Sequence, residues 1–213
     1  MAWTGGNYYL SYSEMRGNVA EIWNILGADG WTRNAVAAIC GNMQAESTIN
    51  PGIWEGLTPT STPNVSVGYG LVQWTPWNKY ADWAGSGWQN NGPKEVARIQ
   101  YEVANNIQWF ENGSASSIGL PYYPPITFAQ FAVSTISVST LSDYFIAYYE
   151  HPASLTATYQ QRRSNSLNWY DYLLELPDPG PTPPTPTSPA TWLSATTAPI
   201  CMATSLAAFP STS

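Results

Sequence analysis

This sequence predicts an α+β, mainly α fold with a small loop or hairpin lobe and a Pro/Thr-rich C-terminal tail. Three observations lead there. Apolar residues recur at helical spacing in separate segments on both sides of residues 53 to 80. That stretch is itself broken by Pro59, Pro63, Gly68 and Gly70, and Val65 and Val67 alternate with polar neighbours as in a short strand. From residue 177 onward the composition changes to prolines and threonines.

The elements follow in order. Residues 13 to 26 read as a first helix, with Ser13 as N-cap, Met15, Val19, Ile22, Trp23 and Leu26 as its stripe, and Gly27 at its end. Thr32 caps a second helix carrying Val36, Ile39, Cys40 and Met43 at i, i+3, i+4, i+7, and Asn50-Pro51-Gly52 stops it. Helices resume at Pro93, where Val96, Ile99, Val103 and Ile107 share a face. Thr127 to Ser134 reads as a short helix. Thr140-Leu141-Ser142-Asp143 resembles a capping box opening a helix to Glu150, and a last helix runs from Thr156 to Leu176. Residues 1–176 thus form the domain and 177–190 a linker, a semi-rigid spacer of roughly 40 Å if its prolines adopt polyproline II. Residues 191–213 are uncharged and too short for a core of their own. A docking tail, the stub of a further domain and disorder all fit them.

Composition excludes more than it assigns. The chain has 213 residues, and only 10% are charged, so its solubility rests on hydroxyls and amides. The net charge is -7, with no basic patch, which argues against nucleic acid as a partner. Cys40 and Cys201 do not make a disulfide framework. The N-terminus lacks the pattern of a signal peptide, and no apolar stretch is long enough to span a membrane, so synthesis in a cytoplasm is expected. The 11 Trp and 14 Tyr serve equally well as an aromatic core or as flat platforms for sugar rings.

Glu46 is the most informative single residue. It follows Met43 by three positions, which puts it on the apolar stripe in the last turn of its helix. Burial and the negative end of the helix dipole both favour a neutral carboxyl there, as a general acid requires. Beyond it, Gly68-Tyr69-Gly70-Leu71-Val72-Gln73-Trp74-Thr75-Pro76 has no Lys and no strand-to-helix context for a phosphate loop. Its glycines suit close backbone approach to a ligand. The Gln73 amide suits hydroxyl and N-acetyl groups, or bridges loop backbone.

The runs Gly30-Trp31-Thr32-Arg33-Asn34-Ala35, Gly41-Asn42-Met43-Gln44-Ala45-Glu46-Ser47-Thr48-Ile49-Asn50-Pro51-Gly52, Gly70-Leu71-Val72-Gln73-Trp74-Thr75-Pro76 and Tyr149-Glu150-His151-Pro152-Ala153 resemble the phage tail lysozyme family. Within it they resemble the N-terminal lysozyme domains of tail-knob proteins of small Bacillus podoviruses. More distantly, the Glu-Ser pair followed by Gly-Leu-x-Gln is similar to goose-type lysozymes and lytic transglycosylases. The resemblance spans roughly residues 7 to 175. It implies a lysozyme-like fold and cleavage of the β-1,4 bond between N-acetylmuramic acid and N-acetylglucosamine in peptidoglycan. It further implies a virion tail location, other phage tail proteins as partners, and no cofactor or metal. Glu46 would be the catalytic acid. Tyr69, Gly70, Gln73 and Trp74 would bind the glycan, and Tyr148 or Tyr149 would contact the acid. Glu150 is read as anchoring a turn before Pro152.

Glycoside cleavage asks for a proton on the leaving oxygen and for a second group at the oxocarbenium-like centre. Glu55, nine positions after Glu46, is the candidate second carboxylate. Without one, the muramic acid 6-hydroxyl can attack and leave an anhydro sugar. Two other classes stay in view. A Cys-His peptidase would need Cys40 or Cys201 with His151, the single histidine. A non-catalytic glycan-binding tail module would use the aromatics and Gln73 but not Glu46. A zinc site is badly supplied by one His and two distant Cys. The acidic charge would oppose free attraction to anionic wall polymers, so delivery by a virion tail tip is expected to supply the local concentration.

Overall fold

The computed structural model describes residues 2–111, 120, 123–150 and 158–180. Seven α-helices run through these residues: α1 Tyr12–Ala28, α2 Arg33–Ser47, α3 Asn78–Ala84, α4 Gly92–Asn105, α5 Phe128–Ala132, α6 Val138–Phe145 and α7 Tyr159–Glu175. A 3-10 turn covers Glu55–Leu57, and a π-helix, Ile146–Glu150, extends α6.

Helix α2 is the axis. Every residue from Ala35 to Met43 is buried, so it is covered all round rather than along one stripe. Helices α1, α6 and α7 surround it. The α7 side comes closest, and Gly41 permits this. A Cβ on Gly41 would stand 2.5 Å from the Ser166 backbone nitrogen and 2.7 Å from its Cα. Thr32 caps α2 as expected, its side chain accepting from the Ala35 N–H. The stop comes earlier than Asn50-Pro51. Thr48 and Ile49 both turn left-handed, with φ of 53° and 55°, which ends α2 directly after Glu46-Ser47.

Local chemistry shifts several boundaries. Ser11, not Ser13, caps α1, through a capping box with Glu14. Gly27 stays inside that helix, and Asp29 is its C-cap. Ser137, not Thr140, caps α6. Helix α3 went unseen because it is two turns long and follows Pro76. Thr156, the expected start of the last helix, lies outside the described residues, as does everything after Gly180. At the start of the expected linker, Pro177 accepts from Trp23 Nε1 (3.0 Å) and Asp178 pairs with Arg33 (2.7 Å). The linker's first residues are therefore fastened to the domain.

The lobe between α2 and α4 is not a hairpin. Among the described residues the only β features are two isolated bridges, Trp54 with Tyr69 and Tyr69 with Trp74. Val65 and Val67 lie in irregular backbone. Aromatic rings hold the lobe instead. Trp54 meets Tyr69 at 4.9 Å, Tyr69 meets Trp88 at 4.8 Å, and Trp74 stacks on Tyr80 at 4.8 Å. Most of the aromatic excess is thus core, each edge or offset pair adding about 0.5–1.5 kcal/mol beyond its burial.

Candidate active site

A cleft of about 310 Å³ opens where the end of α2 meets the lobe and the π-helix. Glu46, Glu55, Gln73, Trp74, Tyr149 and Glu150 line it, with Tyr9, Trp54 and Gln108 among the others. Of the residues expected at the site, five meet here: Glu46, Glu55, Gln73, Trp74 and Tyr149. Three do not line it. Tyr69 is buried and its hydroxyl accepts from Asn90 N–H (2.7 Å). Tyr148 is buried against Trp109. Gly70 serves a different purpose, described below.

Glu46 is not the apolar-stripe carboxyl that periodicity suggested. Its side chain is 23% exposed and its Oε1 pairs with Arg162 of α7. Arg162 is itself 8% exposed and is steadied by Asn42, one turn earlier in α2, whose Oδ1 lies 3.2 Å from Nη1. Asn42 in turn donates to Ala38 O (2.9 Å) and to Ser142 O of α6 (3.3 Å). A buried polar chain from three helices therefore fixes the orientation of Glu46.

The motif around residue 70 is stitched to the motif around residue 46. Ser47 Oγ–H donates to Leu71 O (2.8 Å), and Leu71 N–H donates to Glu95 Oε2 (2.7 Å). Gly70 has φ +77°, and a Cβ there would stand 2.5 Å from Glu95 Oε2. The close approach that Gly70 permits is to the Glu95 carboxyl. Gln73 holds a left-handed conformation, φ 50°. Its Nε2 donates to Gly70 O (2.9 Å) and Ile53 O (3.3 Å), so its amide bridges loop backbone while it lines the cleft.

Behind the cleft, Glu102 of α4 gathers three donors. Trp74 Nε1–H (3.0 Å) and Arg98 Nε–H (2.8 Å) reach its Oε1, and the Tyr149 hydroxyl (2.5 Å) reaches its Oε2. Tyr149 thus contacts a buried carboxyl other than Glu46. Burial drives the Tyr149 hydroxyl well above its ordinary range, and the charge of Glu102 adds to it. Burial also raises Glu102, against the opposing bonds from Tyr149, Arg98 and Trp74. Glu55 opens the 3-10 turn, is exposed, and accepts from Gly68 N–H (2.8 Å).

Glu150 was read as anchoring a turn before Pro152, which lies outside the described residues; Glu150 itself is among the residues that line the cleft. Burial pushes it well above the usual carboxylate range. The Glu46 charge pushes further, Arg162 opposes, and Glu102 adds a smaller push. Sequence periodicity could not find it, because a π-helix advances its side chains off the α register. Arg162 was missed as well, although a cation on the inner face of the last helix is a signal in a chain with so few charges.

Glu95 supports a pH prediction. It is fully enclosed, and burial raises it well above 4.5 against one bond from Leu71. A raised carboxyl stabilises the fold fully below its unfolded value, and that stability is lost as pH rises through the folded value. Glu95→Gln keeps the acceptor for Leu71 but cannot ionise. In thermal melts, the midpoint of the wild type minus that of the variant should be most positive near pH 4 and shrink as pH rises. A difference that does not vary with pH would contradict it.

Other chemistries find less support. Cys40 is fully buried and its thiol is raised far above the ordinary range by burial, so it is no nucleophile. His151 and Cys201 lie outside the described residues. Among the described residues no three His, Cys, Asp or Glu side chains gather as metal ligands. No helix among them is long and apolar enough to cross a membrane.

Residues 17–173 match the family model described as phage tail lysozyme. Over 173 residues, 78% of the chain, the sequence is 40% identical to "Morphogenesis protein 1" of Bacillus phage B103. The match covers 42% of that relative's length.

Proposed function

Since the chain belongs to the phage tail lysozyme family, we propose that its cleft holds a peptidoglycan glycan strand and cleaves the β-1,4 bond between N-acetylmuramic acid and N-acetylglucosamine. Glu46 is the general acid that protonates the leaving oxygen. Glu55 is the second carboxylate, acting on the anomeric carbon or on its attacking water. Gln73, Trp74 and Tyr149 line the sugar sites. The observation that carries this reading is the convergence of Glu46 and Glu55, from α2 and from the lobe, on one cleft. The viral relative supports a further proposal, that the protein works on a phage tail during entry into the host. Tethering there would replace electrostatic attraction to the wall.

A second reading, lytic transglycosylation, is favoured by one observation: Oε2 of Glu55 is already engaged by Gly68 N–H. Attack by the muramic acid 6-hydroxyl would then close an anhydro ring. Mass spectrometry of fragments from purified Gram-positive peptidoglycan separates these readings. Reducing N-acetylmuramic ends, absent with Glu46→Gln, are the expected result. Anhydro-muramic ends would move the assignment to transglycosylation. No cleavage by wild type, with wall binding retained, would leave a glycan-binding tail module.

A further inference from the structure

Three features of Glu150 remain after the cleft has been given its acid and its second carboxylate. It is one of the residues that line the cleft, as Glu46 is. Its Oε1 is buried and has no hydrogen-bond partner among the described residues, which is uncommon for a native polar group. It is the last residue of a π-helix, a rare geometry that appears mostly where function requires it.

Among the described residues, charges face it from several elements. Glu46 approaches from α2 and Arg162 from α7. Glu102 lies on α4, with Arg98 paired to it and the Tyr149 hydroxyl bonded to it. Glu55 lines the same cleft from the lobe. Two neighbouring carboxyls beside one guanidinium are best satisfied by a single proton. With none they repel each other; with two the guanidinium loses its counter-charge.

We propose that Glu150 is the proton reserve of Glu46, so that the pair enters each catalytic cycle with one proton. This rests on the assignment of Glu46 as general acid. Glu150 acts through Glu46 and not on the sugar. As the C1–O4 bond breaks, the pair's proton passes from Glu46 to the leaving oxygen, and the electron pair of that bond stays on the oxygen. Both carboxylates are then ionised beside Arg162. The water or 6-hydroxyl that finally adds to C1 releases one proton, which returns to the pair directly or, where Glu55 is the base, by way of Glu55. Reactants and products balance in either case.

The test is the pH profile of kcat/KM on soluble glycan strands for wild type, Glu150→Gln, Glu150→Asp and Glu46→Gln. Paired carboxyls titrate as a unit, with two apparent steps. In Glu150→Gln the alkaline limb should move at least one pH unit lower, with at least a tenfold loss at neutral pH and most of the rate regained in acid. Glu150→Asp, which keeps a titrating carboxyl, should hold the limb near that of wild type. An alkaline limb left in place by Glu150→Gln, whether or not the rate falls, overturns the proposal. A fully active Glu46→Gln would sink the acid assignment instead, so the two failures are told apart. Should Glu150→Gln not fold, infrared titration of the buried protonated carboxyls decides. One band should lose its proton at lower pH in Glu46→Gln than in wild type, and an unmoved band overturns the coupling.

Discussion

Glu46→Gln should lower kcat for glycan cleavage by about 10²- to 10⁴-fold, the usual contribution of a positioned general acid. KM should change little. Gln has the shape of Glu and can still face Arg162 through its amide oxygen, so the buried chain Asn42–Arg162 stays in place. A loss confined to kcat is the signature of an interaction made in the transition state. Steady-state kinetics on size-defined glycan strands would measure it. A rise in KM at constant kcat would instead make Glu46 a binding residue and return the cleft to the glycan-binding reading.

Gly41→Ala should damage the fold severely for a single added methyl. The added Cβ would stand 2.5 Å from the backbone nitrogen of Ser166, and backbone cannot rotate away as a flexible side chain can. Helices α2 and α7 must separate. Overpacking of this kind costs about 3 kcal/mol, or a drop of roughly 10 °C in melting midpoint for a domain of this size. Activity should fall further than stability alone explains at temperatures where the variant is folded. Arg162 sits one turn before Ser166 on α7, so moving that helix withdraws the cation from Glu46. Differential scanning calorimetry with a cleavage assay would read both effects. An unshifted midpoint would refute the close-packing argument.

These two residues show what the sequence made legible. The cap at Thr32, the helix that follows and the position of Glu46 in its last turn could be read from spacing alone, because helical periodicity and capping are local. The mainly helical class followed in the same way. What faces Glu46 could not be read. Arg162 lies 116 residues further on, and spacing reports which face a residue occupies, not what that face meets. Periodicity also mistook the environment, since a helix buried all round has no apolar stripe to separate from a polar one. Gly70 misled for a related reason. The freedom of a glycine is visible in sequence, but whether it admits a ligand or a buried carboxyl depends on Glu95, two elements away. The lobe's aromatic rings supply what strands were expected to supply, and ring packing leaves no periodic trace.

The 116 residues between Glu46 and its cation have a consequence for the newborn chain. Synthesis proceeds from the N-terminus at about 5–20 residues per second, so Arg162 is made roughly 6–23 s after Glu46. During that interval α2 has its acid but neither the cation that orients it nor the closest helix that covers it. The cation that orients Glu46 comes from nearly the last segment of the domain to be translated. On the proposed role of Glu46, a chain that stops before α7 should therefore cleave no glycan, and a cell that makes the protein should meet a working site only when the whole domain has been released.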